Sequence, residues 1–317
     1  MDIQQLKYVA EIAKTGSITS AARALYMGQP NLSKNIKELE QEIGITLFER
    51  TAKGVVPTPS GREFITYAQS ILAQMEELES LYRPSDRHEV KIQMSVPRAS
   101  YIADAFTRYI ASLGNVPLQV GYRETNSLSV INDVFTGLSS MGVVRFQTQH
   151  REYFERLIKS KHLIIQELWE YDMVVLMNKD HELASLDQVP YQLLSKYPKV
   201  VHGDLTPVLP PEEDYVPETS DTEVKRIAVY DRGVQFDVLY TVPGSYMWVS
   251  PMPPEILERN HLVQRKCASA NRYCDVVVYQ SHVQLGQAEI GVLNAVHEEI
   301  ELLSAIYERP KMKVAEG

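Results

Sequence analysis

The sequence predicts a multidomain chain of the α+β class: a small N-terminal domain of helices and a β-hairpin, then a long helix, then a larger α/β domain. Three observations predict it. Short helical patterns open the chain, an apolar repeat with a period of 3.5 residues follows, and short apolar runs alternate with helical patterns over the remainder. The predicted boundaries are 1–58, 59–87 and 88–317.

Composition limits the class of protein. The chain has 317 residues, of which 44% are hydrophobic and 23% are charged, as in globular proteins with more than one core. No run of about 18 apolar residues and no signal-peptide pattern is present, so we expect no membrane partner and a cytoplasmic location. Two cysteines are too few for a disulfide framework.

The net charge of −9 argues at first against nucleic acid. Residues 1–87, however, hold 10 Lys and Arg against 11 Asp and Glu, whereas the remainder holds 22 against 30. The acidity therefore belongs mainly to the C-terminal part, and a local basic surface near the N-terminus is compatible with it.

The first domain begins with three helical patterns. The first runs from about Ile3 to Lys14 and ends at Gly16, and the second follows with Ser17 or Thr19 as its N-cap. The third begins after Gly28. Its buried stripe repeats at spacings of four, three and four residues, at Leu32, Ile36, Leu39 and Ile43.

The N-terminal half of the third helix exposes amide, hydroxyl and lysine side chains. Two helices joined by a tight turn, the second exposing such groups, form the arrangement that helix-turn-helix proteins place in the DNA major groove. An ordinary solvated helix face is the alternative. The candidate DNA-binding residues of this helix are Gln29, Pro30, Asn31, Ser33, Lys34 and Lys37.

A short alternating segment after this helix strengthens the DNA hypothesis. "ITLFERTAKGVVPTPSG" predicts a β-hairpin with Arg50 and Lys53 near its tip. A basic hairpin beside a recognition helix is a wing, whose cations contact phosphates or the minor groove.

The long helix begins at Pro59 with Thr58 as N-cap and extends to about Tyr82. Its apolar residues recur with the 3.5-residue period that two helices wound together require, which favours dimerisation over burial against its own chain. The predicted dimerisation residues are Phe64, Ala68, Ile71, Met75, Leu78 and Tyr82.

Together these residues resemble the LysR-type transcriptional regulators, over about the first 60 residues. The segments "GSITSAARAL", "QPNLSKNIKELEQEIG" and "LFERT" stand in the order and spacing of that family. The resemblance implies that 18–37 is the helix-turn-helix and that the long helix pairs two subunits. It places Gln29, Pro30, Ser33 and Lys34 in the groove, and Thr19, Arg50 and Lys53 at the DNA backbone or minor groove.

Three residues depart from the family pattern: Gly28, Asn31 and Pro57 stand where Ser, a small apolar residue and Leu are usual. The first two could alter the sequence that is read. The resemblance further implies a dimer, or a tetramer built from dimers, on promoter DNA, with RNA polymerase as a further candidate partner.

The C-terminal part has seven apolar runs between helical patterns, which predicts α/β architecture with mainly parallel sheets. The weaker resemblance here implies a domain like a periplasmic binding protein, with subdomain I at about 88–164 plus 268–303 and subdomain II at about 165–267. A small effector would bind at the carboxyl ends of the strands. The candidate effector-binding residues at those ends are Arg98, Ser100, Thr125, Asn126, Ser127, Arg145, His202 and Ser250.

For each single candidate, a helix cap or a loop hydrogen bond is the competing interpretation. Arg98 and Arg145 favour an anionic effector, because guanidinium groups bind carboxylates bidentately. The Pro-rich acidic stretch 206–221 predicts an exposed loop and weakens the case for His202 and Ser250.

Two other classes of function are alternatives: a ligand- or redox-sensing protein and an enzyme. Cys267 and Cys274 could form a redox switch in a ligand- or redox-sensing protein, although buried structural cysteine is the commoner role. Common hydrolase, metalloprotease and nucleotide-binding motifs are absent, and the eight histidines lack metal-ligand spacing. We therefore expect no catalytic residues, no metal and no cofactor.

Overall fold

The computed structural model describes residues 1–51, 54–82, 90–203, 225–281 and 283–307. The chain divides into two compact units, Met1–His88 with Asn132–Ser139, and Glu89–Ile131 with Ser140–Gly317. None of the helices in the described ranges is long and apolar enough to cross a membrane.

Eleven α-helices lie in the described ranges. They are α1 (Ile3–Thr15), α2 (Ile18–Ala24), α3 (Gln29–Ile43), α4 (Pro59–Tyr82), α5 (Ser100–Ser112), α6 (Ser127–Phe135), α7 (Arg151–Ser160), α8 (Tyr191–Leu194), α9 (Arg232–Thr241), α10 (Pro254–Arg259) and α11 (Gln287–Tyr307). The strands of the same ranges are β1 (Phe48–Thr51), β2 (Gly54–Pro57), β3 (Val90–Val96), β4 (Leu118–Glu124), β5 (Met141–Gln147), β6 (Leu163–Asp172), β7 (Val174–Asn178), β8 (Lys199–His202), β9 (Arg226–Val229), β10 (Tyr246–Val249), β11 (Leu262–Arg265) and β12 (Arg272–Gln280).

Local capping signals set the ends of the first helices. Gly16 closes α1 in the left-handed region at φ 63°, and Ser17 caps α2 by accepting a hydrogen bond from Ser20 N. Gly28 stands at the N-cap of α3, and Gly44 closes that helix at φ 75°. The predicted end of the first helix at Gly16, the N-cap at Ser17 and the start of the third helix at Gly28 are thereby confirmed.

The core of the first unit joins the three helices, the hairpin and the start of α4. Leu32, Ile36 and Leu39 on α3 pack with buried residues of α1 and α2, as their spacing predicted. Leu47 and Ile65 extend the same core toward the hairpin and α4. The winged helix-turn-helix architecture of the first domain follows from these contacts.

The second unit contains two five-stranded sheets. Their strand orders are β4-β3-β5-β12-β6 and β11-β7-β10-β8-β9. The expectation of mainly parallel sheets was wrong, because β12 is antiparallel to both of its neighbours and β7 is antiparallel to β10 and β11. Parallel pairing is confined to β3 with β4 and β5, and β8 with β9 and β10, among the described strands.

The strand connections also revise the boundary between the subdomains. The expected end of the first segment of subdomain I, residue 164, falls inside β6, which pairs with β12 through Asp172. The chain passes to the second sheet at Met173, and β7 begins at Val174. It returns to the first sheet between β11 and β12.

The N-terminal half of α4 packs on its own domain. Phe64 lies against the core of the first unit, and Ala68 is only 1% exposed in a single chain, so Ala68 is not available to a partner. The prediction that Ala68 belongs to the dimerisation seam was therefore wrong. Ile71 and Leu78 are exposed by 40% and 57% and Met75 is half-buried, whereas the side chain of Tyr82 lies outside the described residues.

Candidate DNA-binding surface and ligand cleft

The exposed side of α3 carries the predicted DNA-binding residues. Pro30, Asn31, Lys34 and Lys37 are exposed, and Thr19 on α2 is exposed as well. A shallow groove on this surface is lined by Gln29, Pro30, Ser33, Lys34, Lys37, Glu38 and Gln41. The structure therefore brings five of the six candidates on α3 together, with Asn31 outside the groove lining.

The first turn of α3 is open because Gly28 has no side chain to cap it. Gly28 O accepts hydrogen bonds from Asn31 N and Leu32 N, while no side chain of the described residues caps the helix start. Pro30 has no N–H and Asn31 and Leu32 donate within the turn, so the positive end of the helix dipole is the main feature of this turn that attracts anions. This end of α3 is therefore chemically suited to a phosphate-lined groove.

The acidic residues of α3 have structural partners, which the sequence did not reveal. Glu40 Oε1 accepts hydrogen bonds from Leu47 N at 2.7 Å and Phe48 N at 3.2 Å. Lys34 lies 3.7 Å from Glu38 in an exposed ion pair, which is weak enough to be exchanged for a phosphate. Glu40 thus ties the helix to the first strand of the hairpin.

The hairpin lies beside α3 as a wing. β1 and β2 pair in register from Phe48 with Pro57 to Thr51 with Gly54. Val55 N donates to Gly16 O at 2.9 Å, and a Cβ on Gly54 would lie only 2.6 Å from the same oxygen. Arg50 is exposed on β1, whereas Lys53 lies outside the described residues.

The second candidate site is a cleft in the second unit, at the carboxyl ends of strands from both sheets. It encloses about 820 Å³, including space open to solvent. All eight residues predicted from strand ends line it: Arg98, Ser100, Thr125, Asn126, Ser127, Arg145, His202 and Ser250. The lining residues that the sequence reasoning missed are Pro97, Met173, Arg232, Gln235, Trp248, Val249, Met252 and Tyr273.

Several of the predicted polar groups already have partners within the fold. Asn126 Oδ1 accepts from Ser129 N at 3.0 Å, as a helix cap does. Ser127 Oγ donates to Arg145 O. The competing interpretation, a cap or a loop hydrogen bond, therefore describes Asn126 and Ser127, although both also border the cleft.

Arg145 is held beneath the cleft by a buried acid. Its Nε and Nη2 donate to the two carboxylate oxygens of Asp275 at 2.8 and 2.7 Å, and Asp275 is fully buried. Tyr101 donates to the same carboxylate at 2.6 Å. Burial alone would lower the pKa of Arg145, but the Asp275 carboxylate raises that pKa well above its usual value. The charge of Arg145 is therefore balanced internally.

A second arginine, Arg232, enters the cleft from the first turn of α9. Its Nη1 donates to Glu124 Oε1 at the end of β4, and its Nη2 donates to Ser100 Oγ at 2.7 Å. Burial raises the pKa of the Glu124 carboxyl, and the positive charge of Arg232 opposes that rise. Arg98 Nη2 donates to Tyr230 O at 3.2 Å nearby.

Apolar side chains complete the wall. Trp248, Met173, Met252 and Tyr273 line the cleft beside its arginines. No Asp or Glu is among the described side chains that line it. This combination suits a small molecule with an anionic group and an apolar body.

The two cysteines occupy separate places. Cys267 packs in an apolar cluster of the second sheet, and Cys274 lies on β12 in the first sheet. Burial raises the pKa of the Cys274 thiol to about 12, so it stays protonated near neutral pH. Neither environment favours a reactive thiolate.

A group of potential metal ligands also surrounds Cys274. One ligand atom each of Glu167, Glu170 and Cys274 lies within 4.8 Å of the others. Arg151 Nη1 donates to Glu167 at 3.0 Å, and Arg151 also contacts Glu170 and Cys274. A guanidinium group therefore occupies the place between these carboxylates.

The sequence of the first domain is similar to those of bacterial transcriptional regulators. The family model described as "Bacterial regulatory helix-turn-helix protein, lysR family" matches residues 3–62. An uncharacterised HTH-type transcriptional regulator of Bacillus subtilis, YcgK, is 47% identical over 78 residues, which are 25% of this chain and 24% of the relative. The regulator CysB of Haemophilus influenzae is 26% identical over 208 residues, 64% of this chain and 61% of CysB. The alignment thus spans less than two thirds of either relative.

Solved structures share the fold across both units. A full-length OxyR variant from Pseudomonas aeruginosa covers 94% of this chain and 98% of its own, with a TM-score of 0.58 and 16% identity. Full-length LysG from Corynebacterium glutamicum, with the effector Arg bound, covers 94% and 99% with a TM-score of 0.59 and 14% identity. The first domain of the chain, over residues 3–62, therefore belongs to the lysR family of bacterial regulatory helix-turn-helix proteins.

Proposed function

We propose that this chain binds promoter DNA through paired winged helix-turn-helix domains and regulates transcription there. The observation that carries the proposal is the exposed groove on α3, where amide, hydroxyl and lysine side chains lie beside the open N-terminus of the helix. Gln29 offers an amide for adenine, and Lys34 and Lys37 offer cations for guanine or phosphate. As a DNA-binding regulator it would act in the cytoplasm, with no catalytic role of its own.

Genomic selection tests this function directly. The full chain is incubated with fragmented genomic DNA, and the retained fragments are sequenced and footprinted. Since two-fold symmetric dimers require matching half-sites, we expect a partly palindromic footprint. The affinity should fall steeply with salt, because phosphate contacts release counterions. Retention without any shared sequence would contradict the proposal.

The dimer would form along the C-terminal part of α4. Ile71 and Leu78 expose apolar surface in the single chain. Met75, which lies between them in the sequence, is half-buried. A helix pair with a 3.5-residue period buries such a stripe. Replacement of Leu78 by Asp should dissociate the dimer in sedimentation, whereas replacement of the exposed Gln69 by Asp, on the opposite side of the helix from Ile71, is the matched control.

The cleft would hold the effector that switches the regulator. Its arginines, its apolar wall and the lack of acids among its described lining residues support a small anionic molecule. A thermal-shift screen of metabolites tests this, since a ligand selective for the folded state stabilises it. Binding of such a ligand should change the length of the DNA footprint, and RNA polymerase recruitment is the next step we propose.

A redox-sensing role is the second candidate, and the thiols argue against it. Cys267 is buried in an apolar cluster, and burial raises the pKa of Cys274. The ligand-switched regulator is therefore the function that the described residues support best.

A further inference from the structure

An ion pair borders the cleft, between the lining residue Arg232 and Glu124, which lies just outside the lining. Arg232 on α9 bridges to two groups of the first sheet's subdomain, Glu124 at the end of β4 and Ser100 at the start of α5. Arg232 belongs to the second sheet's subdomain, because α9 follows β9 and precedes β10. The pair thus fastens one wall of the cleft to the other.

Both partners are substantially removed from water. The Arg232 side chain is 23% exposed and that of Glu124 is 16% exposed. A charge-assisted hydrogen bond in such a place is stronger than one at the surface. Displacing it therefore requires a ligand group that restores a negative partner for Arg232.

The chemistry of the surroundings defines that ligand group. Ser100 Oγ accepts from Arg232 and can donate its own proton to an anion placed beside it. A second carboxylate cannot join Glu124 there without like-charge repulsion. An incoming anion and the Glu124 carboxylate consequently compete for one guanidinium group.

We propose that the Arg232–Glu124 ion pair is an internal latch, in which Glu124 holds the guanidinium group of Arg232 at the edge of the cleft and the anionic group of the effector replaces Glu124 as its partner. This inference rests on the proposed effector-binding function and explains how the cleft would select anionic over neutral molecules. Neutral molecules leave the latch closed, since they offer Arg232 no charge. Anionic molecules exchange with Glu124 and release β4 from α9.

Titration with inorganic phosphate tests the latch without knowledge of the natural effector. Phosphate is a small anion, and the Arg232 side chain lines the cleft and is 23% exposed. The full-length wild-type protein, Glu124→Gln, Arg232→Met and the double variant are titrated by calorimetry, with sodium chloride at matched ionic strength as the reference. Glu170→Gln is the matched control, because Glu170 also pairs with an arginine, Arg151, away from the cleft.

The latch predicts that Glu124→Gln binds phosphate about 5- to 150-fold more tightly than the wild type, the range typical of coupling between sites. The double variant should lose this gain, and Glu170→Gln should match the wild type. Equal phosphate affinity in the wild type and in folded Glu124→Gln would overturn the proposal. Circular dichroism of each variant confirms that it is folded.

The same variants separate failure of the latch from failure of the proposed function. If a metabolite from the thermal-shift screen binds the wild type and Glu124→Gln equally, the latch is wrong and the effector site stands. If phosphate binds as predicted but no variant alters DNA binding, the latch stands and the switching function is wrong.

Discussion

At the residue scale, the buried carboxylate of Asp275 organises the floor of the cleft. It accepts two hydrogen bonds from Arg145 and a third from Tyr101, and Tyr171 OH lies 3.3 Å away. Arg145 is therefore a structural cation as much as a ligand-binding one. An anionic effector would gain less from Arg145 than the sequence suggested, and more from Arg232.

Replacement of Asp275 by Asn tests this organisation. The variant keeps the shape of the side chain but leaves the charge of Arg145 buried without a counter-ion, which costs about 3–5 kcal/mol for comparable pairs. Urea denaturation measures the loss. Glu167→Gln is the control, since its side chain is 60% exposed in its pair with Arg151 and should change stability by less than about 0.5 kcal/mol. Equal effects of both variants would contradict the assignment.

Cys274 gives a second prediction at the same scale. Burial raises its pKa from 9.0 to about 12, so little thiolate exists at pH 8 and labelling by a maleimide should be slow until the chain is unfolded in urea. Because the folded pKa exceeds the unfolded one, the stability contributed by the thiol is present below pH 9 and declines as the pH rises toward 12. Rapid labelling of the native protein, located by mass spectrometry, would revive the redox hypothesis.

At the element scale, the proposed DNA recognition depends on how α3 and the wing are joined. Glu40 makes this joint by accepting from Leu47 N and Phe48 N, and Thr58 Oγ1 caps α4 by accepting from Gly61 N at 2.8 Å. Thr58 Oγ1 also donates to Thr46 O at 2.6 Å, which ties the residue after the hairpin to the segment before it. The glutamates of α3 therefore have a structural purpose beyond the charge pattern that the sequence displayed.

Replacement of Glu40 by Ala should loosen the wing. The loss of an acceptor for two backbone N–H groups costs about 1–3 kcal/mol when those groups stay unpaired. We expect lower thermal stability and weaker binding to all DNA sequences alike. Glu42→Ala, on the same helix, is the control, because its carboxylate pairs only with the exposed N-terminal amine among the contacts described for it. A changed base preference in Glu40→Ala would show that the acid acts on recognition itself.

The elements also show which features the sequence could predict. Helix ends marked by Gly16, Gly28 and Gly44 were predictable, because caps act locally. The strands β6 and β9 were missed, since β6 mixes buried and exposed residues irregularly and β9 has only four residues. Strand direction was misjudged for β12, because a buried apolar run looks the same in parallel and antiparallel sheets.

At the scale of the whole molecule, each of the two units carries one candidate site. The eight residues chosen from strand ends converge on one cleft, because the loops that follow neighbouring strands meet at the same edge of a sheet. Arg232 was missed because its partner Glu124 lies 108 residues away in the chain, a pairing that no local pattern encodes. The expected exposed loop at 206–221 lies outside the described residues.

The central claim is that the N-terminal half of α3 reads the bases of a promoter site. Selection of bound sequences from a randomised DNA library, with the wild type, Gln29→Ala and Arg50→Ala, measures it most directly. Gln29→Ala should lose its base preference at one position of each half-site, at a cost of about 1–3 kcal/mol of binding free energy. Arg50→Ala should weaken binding to all sequences alike. An unchanged consensus in Gln29→Ala, with the affinity for every sequence lowered equally, would contradict the claim.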